Sequence, residues 1–228
     1  MKKLLLLAFV AFFGVSAQAQ DKPEVITEKP AGTETVYKRV SGKMFFIRDK
    51  KLSIADLAKL AEQDQAAGDL TVVTAADGKT VYLKYVLSYA SYIKDDKAGG
   101  WVKGTKNGST ITVPAGQYIL YGEFEDGEYG IRVGYLEFKN GKFEVLNDDI
   151  TFTIDGKTAV LNGTIMEGET QEDLKLKMLG GYWSDDESFF CGDVETVFST
   201  DPTGIETVER GAKKQVVGVI LSGGQAPG

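Results

Sequence analysis

Residues 101–121 read WVKGTKNGSTITVPAGQYILY, in which two apolar runs flank the dipeptide Asn107-Gly108. Asn-Gly tolerates positive φ at both central positions of a type I′ turn, so the stretch predicts a β-hairpin. Because strand side chains alternate between faces, one face of this hairpin is apolar and the other carries lysine and threonine. The predicted cross-strand pairs are Lys106 with Ser109, Gly104 with Ile111, and Val102 with Val113.

The same pattern recurs along the middle of the chain. Three more segments alternate on both sides of an Asp-Gly or Asn-Gly turn: residues 72–83 around Asp77-Gly78, 135–146 around Asn140-Gly141, and 150–161 around Asp155-Gly156. The predicted pairs are Phe138 with Phe143 and Leu136 with Val145 in one hairpin, and Phe152 with Ala159 and Ile150 with Leu161 in the other.

Hairpins that each present one apolar face must bury those faces together, and short connections favour antiparallel neighbours. We therefore predict an all-β fold, an antiparallel meander closed into a lipocalin-like barrel or folded into a β-sandwich. A first strand or strand pair, broken near Gly42, is expected from Val36 to Ile47, and two more strands are expected after Gly163, the last ending near Phe198. The one predicted helix spans residues 53–67, where Ser53 is the N-cap and Gly68 ends the apolar stripe.

The chain begins with the features of an export signal. Lys2 and Lys3 precede an apolar run that ends before Ala17-Gln18-Ala19, the small-x-small pattern that a signal peptidase cleaves. Cleavage removes both lysines, which leaves 24 basic against 33 acidic residues and a formal charge of −9. The predicted organisation is a signal peptide at 1–19, a flexible leader at 20–35, an antiparallel β domain at 36–200, and a linker with a tail segment at 201–228.

Composition excludes several classes of chemistry. The chain has no histidine, so it cannot run a Ser-His-Asp or Cys-His mechanism, and it lacks the commonest ligand for zinc or copper. Its single cysteine, Cys191, rules out an internal disulfide framework and is expected to be a buried, inert thiol. The acidic balance without a basic cluster argues against nucleic acid as a partner. We expect no cofactor, no metal centre and no transmembrane segment, because the apolar run of the export signal is too short to span a bilayer as a stable anchor.

Aromatic side chains are the best candidates for a binding site. A flat exposed ring can stack under a sugar, and β domains use such rings to hold glycans. The candidate ligand-binding residues are Trp101, Trp183, Tyr89, Tyr92, Tyr118 and Tyr121.

Acidic groups offer two alternatives, in the clusters 95–96, 123–128, 148–149 and 185–187. Paired carboxylates serve glycoside hydrolysis, and loop oxygens bind calcium, although neither spacing is diagnostic here. The predicted function is an exported, non-catalytic binding module, with glycan as the first candidate ligand. A carboxylate-based glycoside hydrolase and a barrel that carries a small apolar ligand remain alternatives.

Two segments resemble known sequences. Residues 204–208, GIETV, with Lys213-Lys214 and 219–225, VILSGGQ, resemble the opening of the type IX-like C-terminal sorting tails on exported proteins of Gram-negative gut and oral anaerobes. This tail is degenerate, because Val219-Ile220 replaces the usual Tyr-Asn or Tyr-Asp pair. Residues 77–83, 101–105, 111–117 and 152–156 are similar to a β-rich domain that recurs in uncharacterised exported proteins of the same bacteria. The resemblance implies export to the periplasm, cell surface or medium and brings no known activity.

Overall fold

A computed structural model describes residues 22–46, 69–87, 100–124, 127–139, 142–168, 170, 173–183 and 189–203. Thirteen strands lie within these residues. Their bounds are β1 Thr33–Phe46, β2 Leu70–Thr74, β3 Thr80–Lys84, β4 Val102–Asn107, β5 Thr110–Val113, β6 Tyr118–Phe124, β7 Gly127–Lys139, β8 Lys142–Val145, β9 Ile150–Asp155, β10 Thr158–Leu161, β11 Ile165–Glu167, β12 Lys175–Trp183 and β13 Phe189–Ser199.

Eight of the strands close into an antiparallel barrel. They follow the order β1-β2-β3-β4-β5-β9-β10-β13, and β13 pairs back with β1. This closing ladder runs from Lys38 opposite Ser199 to Phe46 opposite Cys191. The prediction of an all-β antiparallel fold is therefore confirmed, and of the two architectures left open the chain adopts the barrel.

The sheet also continues outside the barrel. β12, β7 and β6 extend it from the N-terminal half of β13, while β8 pairs with β7 and β11 pairs with β12. The connections therefore differ from a simple meander, because β5 pairs with β9 and the three intervening strands leave the barrel. This extension carries the candidate site.

Side chains fill the barrel interior. Phe152 on β9 lies between its cross-strand partners Ile111 on β5 and Leu161 on β10, and all three are buried. Fully buried residues of other strands, such as Leu83 and Phe198, belong to the same cluster. An eight-stranded barrel is either filled by side chains or holds one small ligand, and the buried cluster indicates that side chains pack this interior. Among the described residues, an open groove of about 580 Å³ is lined by residues 31–33, 74–76 and 78.

The extension has two buried faces. Ile131, Val133 and Tyr135 of β7 join the barrel core, whereas the alternate residues Leu136 and Phe138 belong to a second apolar cluster on the other face. We call that second side the outer face. Its buried cluster consists of Phe45, Leu136, Phe138, Phe143, Leu176, Met178, Tyr182 and Val194.

The structure corrects two predicted registers. In the first hairpin Lys106 pairs with Ile111 and not with Ser109. Gly108 alone in that turn has positive φ, at 58°, as the first central residue of a type II′ turn does. The turn is therefore centred one residue later than predicted. Each residue then pairs two positions further along the partner strand, so the same side chains stay on the apolar face.

The Asp155-Gly156 hairpin shifts in the same way. Leu161 pairs with Phe152 and not with Ile150, and Gly156 has φ 53°. Around Asn140-Gly141 the predicted pairs Phe138–Phe143 and Leu136–Val145 are confirmed.

The first strand is longer than predicted, and the leader is shorter. β1 begins at Thr33, inside the segment predicted to be flexible, because residues 33–37 pair with β2. Ile26 also forms a bridge with Trp101, and Lys22 contacts Glu128. Residues 22–35 are thus held against the domain by specific contacts.

Several predictions fall outside the described residues. The predicted helix at residues 53–67 is one of them, and the side chain of Cys191 is another. None of the described residues belongs to a helix with the length and apolar character needed to cross a bilayer.

Two acidic turns are held by local hydrogen bonds. The Asp77 carboxylate accepts bonds from the Thr80 hydroxyl and from the backbone N–H groups of Lys79 and Thr80, at 2.7 to 2.8 Å. These bonds lower the pKa of Asp77 to about 2. Asp201 has a pKa of about 2 as well, chiefly because Lys157 binds its carboxylate at 2.6 Å.

Candidate functional site

A β-bulge places two of the predicted ligand-binding tyrosines on the same face. Tyr118 pairs with Arg132 and Leu120 with Ile131, so Ile119 is an extra residue in β6. Residues three apart on a regular strand point to opposite faces, but a bulge reverses this alternation. Ile119 and Leu120 therefore both enter the barrel core, while Tyr118 and Tyr121 share the outer face.

The start of β6 is fixed by a side chain that acts as a strand partner. The Gln117 amide accepts a hydrogen bond from Lys103 N–H and donates one to Lys103 C=O, both at 2.8 Å. It also donates to the carbonyl of Pro114 at 3.0 Å. Gln117 thus ties β6 to the edge of β4, which fixes the position of Tyr118.

A glycine forms the floor beneath the two rings. A Cβ added to Gly130 would lie 2.6 Å from the Tyr118 ring and 2.8 Å from the Tyr121 ring. The rings therefore pack directly on the backbone of β7, with centroids 5.7 Å apart and planes at 90°. A ligand that stacks on one ring would meet the edge of the other, because the two rings are not coplanar.

Arg132 lies in the same row of side chains. Its direct cross-strand partners are Tyr118 on β6 and Tyr182 on β12. The guanidinium carbon is 5.8 Å from the centroid of the Tyr118 ring and 5.0 Å from that of Tyr182, within the range of a cation–π contact. We call Tyr118, Tyr121, Arg132 and Tyr182 the aromatic–arginine cluster.

Polar groups border this cluster. The Tyr121 hydroxyl donates a hydrogen bond to Glu128 at 3.2 Å, and Lys22 contacts the other oxygen of Glu128 at 2.5 Å. Both contacts lower the pKa of the Glu128 carboxyl, the Lys22 contact most. The pKa of Tyr121 is raised, first by burial and then by its bond to Glu128. Near neutral pH the pair therefore presents a neutral phenol and an ionised carboxylate.

Of the other predicted ring residues, Trp101 is the one whose side chain the structure describes, and it does not join this cluster. Trp101 is only 4% exposed, so its ring is not the accessible surface that the glycan hypothesis assigned to it. Its backbone N–H donates a hydrogen bond to the backbone carbonyl of Ile26 at 2.8 Å, and its ring centroid lies 5.8 Å from the ammonium of Lys84. Trp101 is therefore part of the packing between leader and barrel. Trp183 ends β12 opposite Ile131, and its side chain lies outside the described residues, as do Tyr89 and Tyr92.

Sequence reasoning missed Arg132, Tyr182 and Gly130. Each is unremarkable in its own strand, and the three meet only because the registers of β6, β7 and β12 align them. One signal was available. The run EYGIRVGY places Glu128, Gly130, Arg132 and Gly134 on one face of a strand, a polar and glycine-containing face next to an apolar one.

Carboxylates do not gather into a metal site in the described part of the chain. No group of three or more potential ligands is found there. Asp148, in one of the predicted acidic clusters, instead pairs with Lys177 at 3.3 Å. Comparison with protein-family models, with curated proteins and with solved structures finds no match for this chain.

Proposed function

We propose that the chain is an exported, non-catalytic binding module that holds a glycan on the aromatic–arginine cluster. The observation that carries the proposal is the bulge at Ile119, which brings Tyr118 and Tyr121 together on the outer face beside Arg132. Bulges are frequent beside functional sites, where they redirect a side chain. A regular strand would have buried one of the two rings.

The chemistry of the cluster suits a sugar. A half-buried tyrosine ring offers an apolar surface for the C–H face of a pyranose, while hydroxyl groups need donors and acceptors at the rim. Glu128 supplies a carboxylate acceptor and Arg132 supplies N–H donors. Because the rings are perpendicular, we expect the sugar to stack on one of them and to contact the other through its edge.

The alternatives find less support in the same contacts. A glycoside hydrolase needs a carboxylic acid that is protonated near neutral pH, and Lys22 and Tyr121 act on Glu128 in the opposite direction. A carrier of an apolar ligand needs an internal cavity, whereas the described side chains inside the barrel, Phe152 among them, form a buried apolar cluster.

Binding to a glycan array tests the proposal. The mature chain should bind at least one glycan, and Tyr121→Ala should weaken that binding about tenfold or more, the usual effect of truncating an aromatic at the centre of a site. Tyr129→Ala is the matched control, since Tyr129 lies on the adjacent strand β7, paired with Gly122, and points to the opposite face. A blank array for the folded parent, or equal binding by the Tyr121 and Tyr129 variants, would contradict the proposal.

Export is part of the same proposal and has its own test. The mass of the protein recovered from a Gram-negative host should correspond to cleavage after Ala19. Recovery of the uncleaved chain from the cytoplasm alone would contradict export.

A further inference from the structure

Arg132 is half-buried and flanked by two aromatic side chains. Tyr118 and Tyr182 lie beside it on the neighbouring strands, and their ring centroids are 5.8 and 5.0 Å from the guanidinium carbon. Tyr182 is itself only 4% exposed. The two rings cover part of the guanidinium, and partial removal from water strengthens any electrostatic interaction that it makes.

Within the described part of the chain, this cation has no anionic partner. Its Nε is enclosed and has no hydrogen-bond acceptor, and no carboxylate forms an ion pair with it. The Glu128 carboxylate on the same strand is bound by Lys22 and Tyr121. Charged groups that are partly withdrawn from water are usually paired, so a half-buried arginine that contacts two ring faces and has a buried, unbonded Nε indicates a site for an external anion.

We infer that the ligand is a carboxylate-bearing saccharide, such as a glycan that contains a uronic acid. This inference rests on the proposed function and specifies its ligand class. The planar guanidinium offers parallel N–H donors that match the two oxygens of a carboxylate. The sugar ring stacks on Tyr118 or Tyr121, while its carboxylate binds Arg132. A neutral sugar would offer the guanidinium no carboxylate.

Affinity for a matched pair of ligands tests the inference. The probes are a uronic-acid trisaccharide and the same trisaccharide with its carboxylates reduced to alcohols, each titrated calorimetrically into the mature chain. We expect the acidic form to bind about 10- to 100-fold more tightly, the usual value of a charge-assisted hydrogen-bonded pair. Arg132→Gln should abolish this preference, and Arg132→Lys should retain part of it because the charge remains.

Lys142→Gln is the matched control, because it removes one positive charge from an exposed position on β8. It should leave the preference unchanged, and circular dichroism should show that all variants are folded. Equal affinity of the parent for the two trisaccharides, or array signals from neutral glycans alone, would overturn this inference and leave the proposed function standing. The absence of binding to any glycan would overturn both. The preference is measured first on the parent chain, so an unfolded variant cannot decide the outcome.

Discussion

Replacing Phe152 with alanine tests whether the barrel interior is a packed core. Phe152 is fully buried at the centre of β9, between Ile111 and Leu161 on the adjacent strands. Removing a buried phenylalanine ring from a rigid core costs about 3–5 kcal/mol, as lost transfer free energy and as the cost of the cavity. For a chain of this size that corresponds to a fall in Tm of about 6–20 °C.

Urea unfolding of the mature chain, followed by circular dichroism, measures this cost. Ile165→Ala on β11 is the control, because that side chain is 39% exposed and its truncation should change the free energy of unfolding by only about 0.5 kcal/mol. A loss below about 1 kcal/mol for Phe152→Ala would refute the packed core. It would indicate a loose or hollow interior and would favour the apolar-ligand alternative.

Two further predictions concern hydrogen bonds. The Tyr135 hydroxyl donates a hydrogen bond to the carbonyl of Asn162 at 2.5 Å and accepts one from the N–H of Thr151 at 3.2 Å. Tyr135→Phe leaves both backbone groups without this partner, so it should lower the free energy of unfolding in urea by about 1–3 kcal/mol. An unchanged urea midpoint would contradict this. Asp77 and Asp201 have pKa values of about 2 when folded, below the usual 3.8, so the unfolded chain binds more protons at low pH. The contribution of these two carboxylates to the free energy of unfolding should therefore fall as pH drops from about 4 towards 2. Above about pH 4 it should not change with pH. Urea midpoints at pH 3 and 6 should differ less in the Asp77→Asn/Asp201→Asn double variant than in the parent, and an equal difference would contradict the assignment.

Local features of the sequence were sufficient to predict the hairpins. Alternation defines which residues face the core, and glycine at a reversal defines where a hairpin turns. The two registers that were wrong share one cause, since Gly108 and Gly156 occupy the first central position of their turns and not the second. The predicted buried faces are nevertheless correct, because the shift in pairing leaves each side chain on the same face of its strand.

The closure of the barrel and the candidate site depend on non-local pairing. The contact of β1 with β13 joins residues more than a hundred positions apart, and no turn residue signals it. The prediction for Tyr118 and Tyr121 was made from residue type alone. What brings them together is an extra residue at Ile119, and a bulge of this kind follows from the pairing of β6 with β7 and not from composition. Residue type alone also made Trp101 a candidate, and residue type does not indicate that its side chain lies buried.

The ladder between β1 and β13 is the contact that makes this sheet a barrel, and nuclear Overhauser effects between backbone protons test it most directly. We predict cross-strand signals that link Lys38 with Ser199 and Arg39 with Phe198, together with signals that link Thr35 with Val72 on the other side of β1. Signals from β1 to β2 alone, with none to β13, would show an open sheet and would contradict the closed barrel.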